Sequence, residues 1–449
     1  MIKLSLDECT QRIKRRSALK ALITSAHPDK KGVIIIGADN ERQREAFYQD
    51  STFFYYVGLE EPSVVFYQHL ESDPVLYEPD YGTNRLVWVS GAYDAAYLDH
   101  LGITESIPLG QKVSGYALDA FSPVGHYQNL IDAITHALAR GEYLFIPVKD
   151  VADDCRFLIE KLAQHIPGMR EKVIDISAYS ATLRRKKEQQ ELEYMYKAIE
   201  ITAIAQEAAA GVIQPGKRES DAHAAINYIF TEGQAVPAFA SIVGSGKNST
   251  VMHYVANDQV MNQGDVVVVD IGASYKRYCA DVSRTYPVSG VFTQRQKEIY
   301  DIVLETQEYI AVRAKPGMWL NNADEPSKSL NHLTREYLKE RGGYDKYFPH
   351  GIGHFVGLDV HDVGDSKIPL AIGDIITIEP GIYIPEERLG IRIEDMYWIV
   401  EGEAVCLSDG FPKTTIEIEE LMRHATSKEQ EVAPINMHDN FLPEFDVEN

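Results

Sequence analysis

The stretch GDVVVVDIG (264–272) returns 109 residues later as GDIITIEPG (373–381). Both read Gly-Asp, four β-branched residues, an acid, one further residue and a Gly. Four β-branched residues in a row are a strand signal, and the Gly-Asp ahead of them marks a turn. A second repeat, offset by 101 residues, accompanies the first. The helical run Glu191–Ala210 leads to Gln214-Pro215-Gly216, and the run Arg295–Arg313 leads to Lys315-Pro316-Gly317. In each, Pro-Gly ends one helix and precedes another helical run. This duplication decides the fold class: the second part of the chain is α+β, built from two similar halves of helices and antiparallel strands. Each half contributes an acid from the end of a strand, and a crevice between such halves is a common ligand site.

A carboxylate that ends an apolar strand is costly unless it is paired or bound to a cation. Asp270 follows four valines, and Asp281 lies on the returning strand YCADVSRTY (278–286). A turn centred between residues 275 and 276 sets Asp270 directly opposite Asp281. In the second half, a turn centred between Glu386 and Glu387 sets Glu379 opposite Glu394. Cross-strand like charges repel at such distances. Any one of these acids could be a solvated strand end, but four in two matched hairpins invite divalent cations. An oxygen-rich set with one imidazole favours two hard or borderline ions, Mn²⁺ first, with Co²⁺ or Zn²⁺ as alternatives. Two ions about 3.5–4 Å apart are a hydrolytic device.

FPHGIGHFVGLDVHDVG (348–364) holds three of the fourteen histidines: His350, His354 and His361. Gly351 and Gly353 argue against a helix here. The carboxylates need one nitrogen, and His354, entering a strand, is placed to supply it. His350 and His361 are then substrate or proton-handling groups. His253, 101 residues before His354, is its counterpart in the repeat and is expected as a substrate contact or proton carrier.

Composition sets outer limits. At 449 residues the chain has room for two domains. A formal charge of −23 disfavours nucleic acid and anionic membrane as partners. The four cysteines (Cys9, Cys155, Cys279, Cys406) form no C-x-x-C pair and suit reduced thiols. The opening MIKLSLDECTQRIKRRS has no apolar core of a signal peptide, and no apolar run is long enough to span a bilayer. A cytoplasmic location is expected. The first third alternates strands (Gly32–Gly37, Ser63–Tyr67, Tyr143–Val148) with helices (Tyr127–Arg140, Val151–His165), an α/β pattern. Residues 1–180 are expected as one domain, 181–424 as the catalytic domain and 425–449 as an acidic tail, with the charged stretch ATLRRKKEQQ (181–190) as a hinge.

His253, Asp270-x₁₀-Asp281, His350-Gly-x-Gly-His354, Val360-His361-Asp362, Glu379-Pro-Gly and Arg392-Ile-Glu394 together resemble the pita-bread metallopeptidases. The likeness spans roughly 180–424. It implies that Asp270 binds one metal, His354 and Glu379 the other, and that Asp281 and Glu394 bridge them. FYQDSTFFYYVGLEEP (47–62) is similar to the amino-terminal domain of the aminopeptidase P and prolidase branch. That branch hydrolyses the bond before proline, so the implied substrates are peptides with proline second, and a dimer or tetramer is implied. The arginine that clamps a dipeptide carboxylate in prolidases has no counterpart in Gly364–Gly373, which offers only Lys367. Trp88 resembles the tryptophan that some aminopeptidases P lend to a neighbouring subunit, without the arginine that usually follows; it reads equally as a core aromatic. The resemblance implies that Glu379 handles the proton, that His253 or His361 stabilises the oxyanion, that His350 and His361 line the proline pocket, and that Arg392 orients His361 or Glu394. A dipeptidase is the alternative; a non-catalytic peptide- or protein-binding descendant and a phosphoester hydrolase are more remote.

Overall fold

The computed structural model describes residues 3–41, 46–83, 85–89, 93–119, 121–149 and 151–428. The chain divides between Arg184 and Arg185 into two compact units.

In the first unit the all-apolar run GVIIIG (32–37) lies inside a six-stranded sheet. The strand order is 105–108, 75–78, 65–69, 32–37, 143–146, 173–175. Gly32–Gly37 runs antiparallel to Val65–His69 and parallel to Tyr143–Ile146, so this sheet is mixed. The helices Gln128–Ala139 and Asp153–His165 give Leu130, Ile134 and Leu162 to the core that Val33 and Leu144 share. DSTFFYY folds as the helix Ser51–Tyr56, every residue of it buried, capped by Asp50 Oδ1 on the Phe53 amide at 2.7 Å. Trp88 is not a core aromatic. It is 68% exposed and stacks on Tyr116 with ring centroids 5.2 Å apart. The residues 90–92 that follow lie outside those described.

The second unit carries the duplication. Its first half has the helices Gln189–Val212 and Glu219–Glu232, then a sheet ordered 282–287, 266–271, 242–245. Its second half has the helices Gln294–Ala311 and Leu330–Glu340, then a sheet ordered 375–378, 395–399, 404–406. The matched glycines share a left-handed backbone: φ is +89° at Gly216, +88° at Gly317, +88° at Gly264 and +99° at Gly373. Glycine adopts that conformation without a Cβ penalty, which is why the repeat preserves it. The two long helices also carry a matched pair of fully buried glutamines. Gln206 Nε2 donates to the carbonyls of Val269 (3.2 Å) and Val282 (2.8 Å); Gln307 Nε2 donates to those of Ile378 (3.1 Å) and Ile393 (3.3 Å). Each carbonyl belongs to a residue adjoining one of the four acids, so each helix braces its own hairpin.

Two segments differ from expectation. The stretch 181–190 is not a solvated hinge: the helix Ser177–Arg185 occupies its first half, Arg185 pairs with Asp374, and Lys187 is buried against Asp362. The helix Thr415–Lys428 takes up residues 425–428 of the expected tail, and 429–449 lie outside the described residues.

Candidate metal centre

All nine candidate residues belong to the second unit, and the strands set their spacing. The second hairpin has the expected register. Ile378 pairs with Asp395 and Gly381 with Arg392, so Glu379 falls opposite Glu394. In the first hairpin the turn centre lies one residue further on, which shifts the pairing by two. Tyr275 pairs with Tyr278 and Asp270 with Ser283, so Asp270 faces a serine and Asp281 lies on the diagonal of the same face. The cause is the turn, in which Lys276 and Arg277 both take positive φ (+46° and +78°), the geometry of a two-residue primed turn. His354 lies in no strand; a single bridge, Phe355 to Ile376, docks the segment. Its amide donates to Thr377 Oγ1 at 3.2 Å, and its carbonyl accepts from the Thr377 amide at 2.9 Å.

Asp281, His354 and Glu394 each offer a ligand atom, all within 4.8 Å of one another. His354 Nε2 stands 3.4 Å from Asp281 Oδ2 and 3.5 Å from Glu379 Oε1. Asp270 is held by Arg392, whose Nη2 donates to its Oδ2 at 2.6 Å. Arg392 was expected to orient His361 or Glu394. It reaches Glu394 through Ser283, which accepts from Arg392 Nε (3.0 Å) and donates to Glu394 Oε2 (2.8 Å); beyond that expectation it grips Asp270 directly and donates through Nη1 to Tyr383 OH (2.9 Å).

These residues fit divalent cations on three counts. His354 Nδ1 faces the Phe355 carbonyl at 3.1 Å, which accepts only; the proton therefore sits on Nδ1, and the Nε2 lone pair points at two carboxylates. Asp270 Oδ1 and Asp281 Oδ1 are buried without a hydrogen-bond partner. Burial, and then the neighbouring carboxylates, push the carboxyls of Asp281 and Glu394 well above their usual range; burial raises Glu379 as well. Lone pairs facing lone pairs in a half-dry cleft are the arrangement a cation relieves.

The other histidines surround this set. His350 Nδ1 lies 3.8 Å from Glu379 Oε2 and donates to the Gly351 carbonyl at 2.8 Å. Its Nε2 meets Tyr383 OH at 2.9 Å. Burial brings His350 down to about 4, so it is neutral and Tyr383 donates to it. The rings of His354 and His361 are 4.2 Å apart. His253 and His361 both reach solvent; the inner side of the His361 ring is partly desolvated, which lowers its value, with His354 and His253 acting in the same direction.

Tyr383, Ser283 and Thr377 did not stand out in the sequence. The available signal was parity. Thr377 and Tyr383 are even steps from Glu379, Ser283 is two from Asp281, and residues an even number apart share a strand face.

A profile of metallopeptidase family M24 matches residues 193–401. A Xaa-Pro aminopeptidase of Escherichia coli K12 is 31% identical over 442 residues, covering 90% of this chain and 96% of that protein. A Xaa-Pro dipeptidase of Pyrococcus furiosus is 42% identical over 227 residues, covering 49% of this chain and 62% of that protein. Among solved structures, Pseudomonas aeruginosa aminopeptidase PepP superposes with a TM-score of 0.78 at 27% identity, covering 95% of this chain and 100% of that one.

Proposed function

This chain belongs to metallopeptidase family M24, and we propose that it is a Xaa-Pro aminopeptidase, releasing the first residue of peptides whose second residue is proline. The near full-length likeness to the Escherichia coli enzyme carries this reading. The convergence of Asp281, His354 and Glu394 supports hydrolysis with metal.

Asp270, Asp281, His354, Glu379 and Glu394 would hold two divalent ions, manganese first. Bound there, the ions supply Lewis-acid activation of water and of the scissile carbonyl. The chain's own groups do the rest. Glu379, the carboxylate that faces both His354 and His350, takes the proton that water loses as its oxygen bonds to the carbonyl carbon. It then delivers that proton to the proline nitrogen as the carbon–nitrogen bond breaks. His361 is lowered by partial desolvation and neutral, and donates one N–H to the developing oxyanion, with His253 as the neighbouring donor. His350 and His361 border the proline ring, and Tyr383 fixes His350 in one tautomer. Arg392 offsets the negative charge of the set and holds Asp270 in place. The protein works as a homo-oligomer in the cytoplasm in this reading, with peptides rather than nucleic acid or membrane as its partners.

The dipeptidase alternative draws on the Pyrococcus relative. Against it, Gly364–Gly373 offers only the exposed Lys367 as a cation for a dipeptide carboxylate. Chelation followed by Mn²⁺ add-back, assayed on an Xaa-Pro-Xaa tripeptide, an Xaa-Pro dipeptide and a phosphotriester, decides among these. Restored activity that favours the tripeptide is expected. Tripeptide hydrolysis that survives both chelation and Glu379→Gln would overturn the proposal.

A further inference from the structure

His253 and His361 stand on exposed loop positions, where side chains ordinarily wander. In both cases the next residue in the chain is tied down. Tyr254 OH shares its one proton between Glu219 Oε2 at 2.8 Å, the shorter contact, and Asp258 Oδ1 at 3.0 Å. Asp362 Oδ2 accepts from Lys187 Nζ at 3.0 Å, with side chains 1% and 2% exposed.

Glu219 has no exposed surface. Besides Tyr254, it accepts from the Ser245 amide (2.8 Å), Ser245 Oγ (2.7 Å), Asn248 Nδ2 (3.2 Å) and the Gln259 amide (2.9 Å). These donors lie on both legs of the loop that carries His253. One buried carboxylate therefore closes that loop at its base, and charge-assisted bonds of this kind are the strong ones. Asp362 is also fixed through its backbone, its amide donating to the Phe355 carbonyl at 2.9 Å beside His354. A buried ion pair is weak evidence of stabilisation, because an apolar pair of similar volume often does as well. Its presence one residue from His361 calls for another reason.

We propose that Glu219 and Lys187 are positioning residues: each anchors the residue that follows an active-site histidine, Tyr254 after His253 and Asp362 after His361, and so aims that imidazole at the substrate. This rests on the roles given above to the two histidines. It also gives a purpose to Lys187, a buried cation of the charged stretch 181–190.

Double-mutant cycles test it. Tyr254→Phe removes a single hydroxyl. Lys187→Met combined with Asp362→Leu removes both charges and strands neither; Asp362→Asn, which keeps the shape, replaces that pair if it does not fold. Each is measured alone and on His253→Ala or His361→Ala respectively, reading kcat and KM on an Xaa-Pro-Xaa tripeptide, bound metal and Tm. The expected result is a loss of about tenfold in kcat/KM, shrinking to under about twofold once the histidine is gone, with metal content unchanged. Equal losses in both backgrounds, or none, overturn positioning while leaving the histidines' roles intact. If His253→Ala and His361→Ala are themselves silent, those roles fall and positioning falls with them.

Discussion

Arg392 Nη2 donates to Asp270 Oδ2 at 2.6 Å while its Nη1 holds Tyr383 and its Nε holds Ser283. One guanidinium thus links a carboxylate of the first hairpin to the tyrosine that fixes His350 and, through Ser283, to Glu394. Lysine keeps the charge but not the planar fork. Arg392→Lys should therefore retain the fold and lose about 10–100-fold in metal affinity or kcat/KM, the usual cost of disturbing groups behind metal ligands. Metal titration by calorimetry beside steady-state kinetics checks this; wild-type values in both would show that the charge alone suffices.

Metal removal should carry a pH signature. Asp281, Glu394 and Glu379 have raised folded-state values in the metal-free protein, from burial in all three and, at Asp281 and Glu394, from neighbouring carboxylates after it. A raised carboxyl binds more protons folded than unfolded, so metal-free stability falls as pH climbs from the unfolded carboxylate range through the folded value. Cations displace those protons and remove the repulsion. The gap in Tm between metal-loaded and chelated protein should widen from mildly acidic to mildly alkaline pH. A gap independent of pH would contradict the burial assigned to these carboxylates.

The two glycines before His354 should respond differently to substitution. A Cβ on Gly351 meets nothing within 4 Å, whereas one on Gly353 would stand 2.0 Å from the Thr377 carbonyl oxygen. Gly351→Ala should change stability by no more than about 0.5 kcal/mol. Gly353→Ala must push His354 off the strand Ile375–Ile378 and should cost about 1–3 kcal/mol, with weakened metal binding. Denaturant unfolding of the chelated proteins separates the two. A tolerated Gly353→Ala would mean that the segment can slide along the strand.

Much of this arrangement was legible because repetition is a strong signal. β-branched runs, Gly-Asp and Pro-Gly pairs mark strands and turns through local sterics, and those survive duplication. The second hairpin's register was readable because proline fixes φ at Pro385, where its loop begins. In the first the turn centre was misplaced by one residue, and the pairing by two, because Lys276 and Arg277 adopt the positive φ usually signalled by Asn or Gly. Gln206 and Gln307 were not legible, since a glutamine in a helix is ordinarily exposed, and their carbonyl partners lie 63 and 71 residues away for the nearer of each pair. The link from Arg392 to Glu394 was legible, although it runs through Ser283; its direct grip on Asp270 was not, because which carboxylate a guanidinium meets depends on how the two hairpins approach, a tertiary fact.

His354 and His361 have rings 4.2 Å apart yet should separate cleanly on mutation. His354 is committed: its Nδ1 is spent on the Phe355 carbonyl and its Nε2 lone pair faces Asp281 and Glu379. His361 is exposed and lies against the His354 ring. His354→Ala should thus lose one equivalent of bound metal, because no other imidazole stands between those two carboxylates among the described residues. His361→Ala should keep both equivalents and lose about 10²–10³-fold in kcat, the scale set by removing one donor to an oxyanion. Metal analysis of the dialysed variants, read beside kcat, distinguishes the two. Equal metal loss in both would make His361 a ligand and reassign the oxyanion donor to His253 alone.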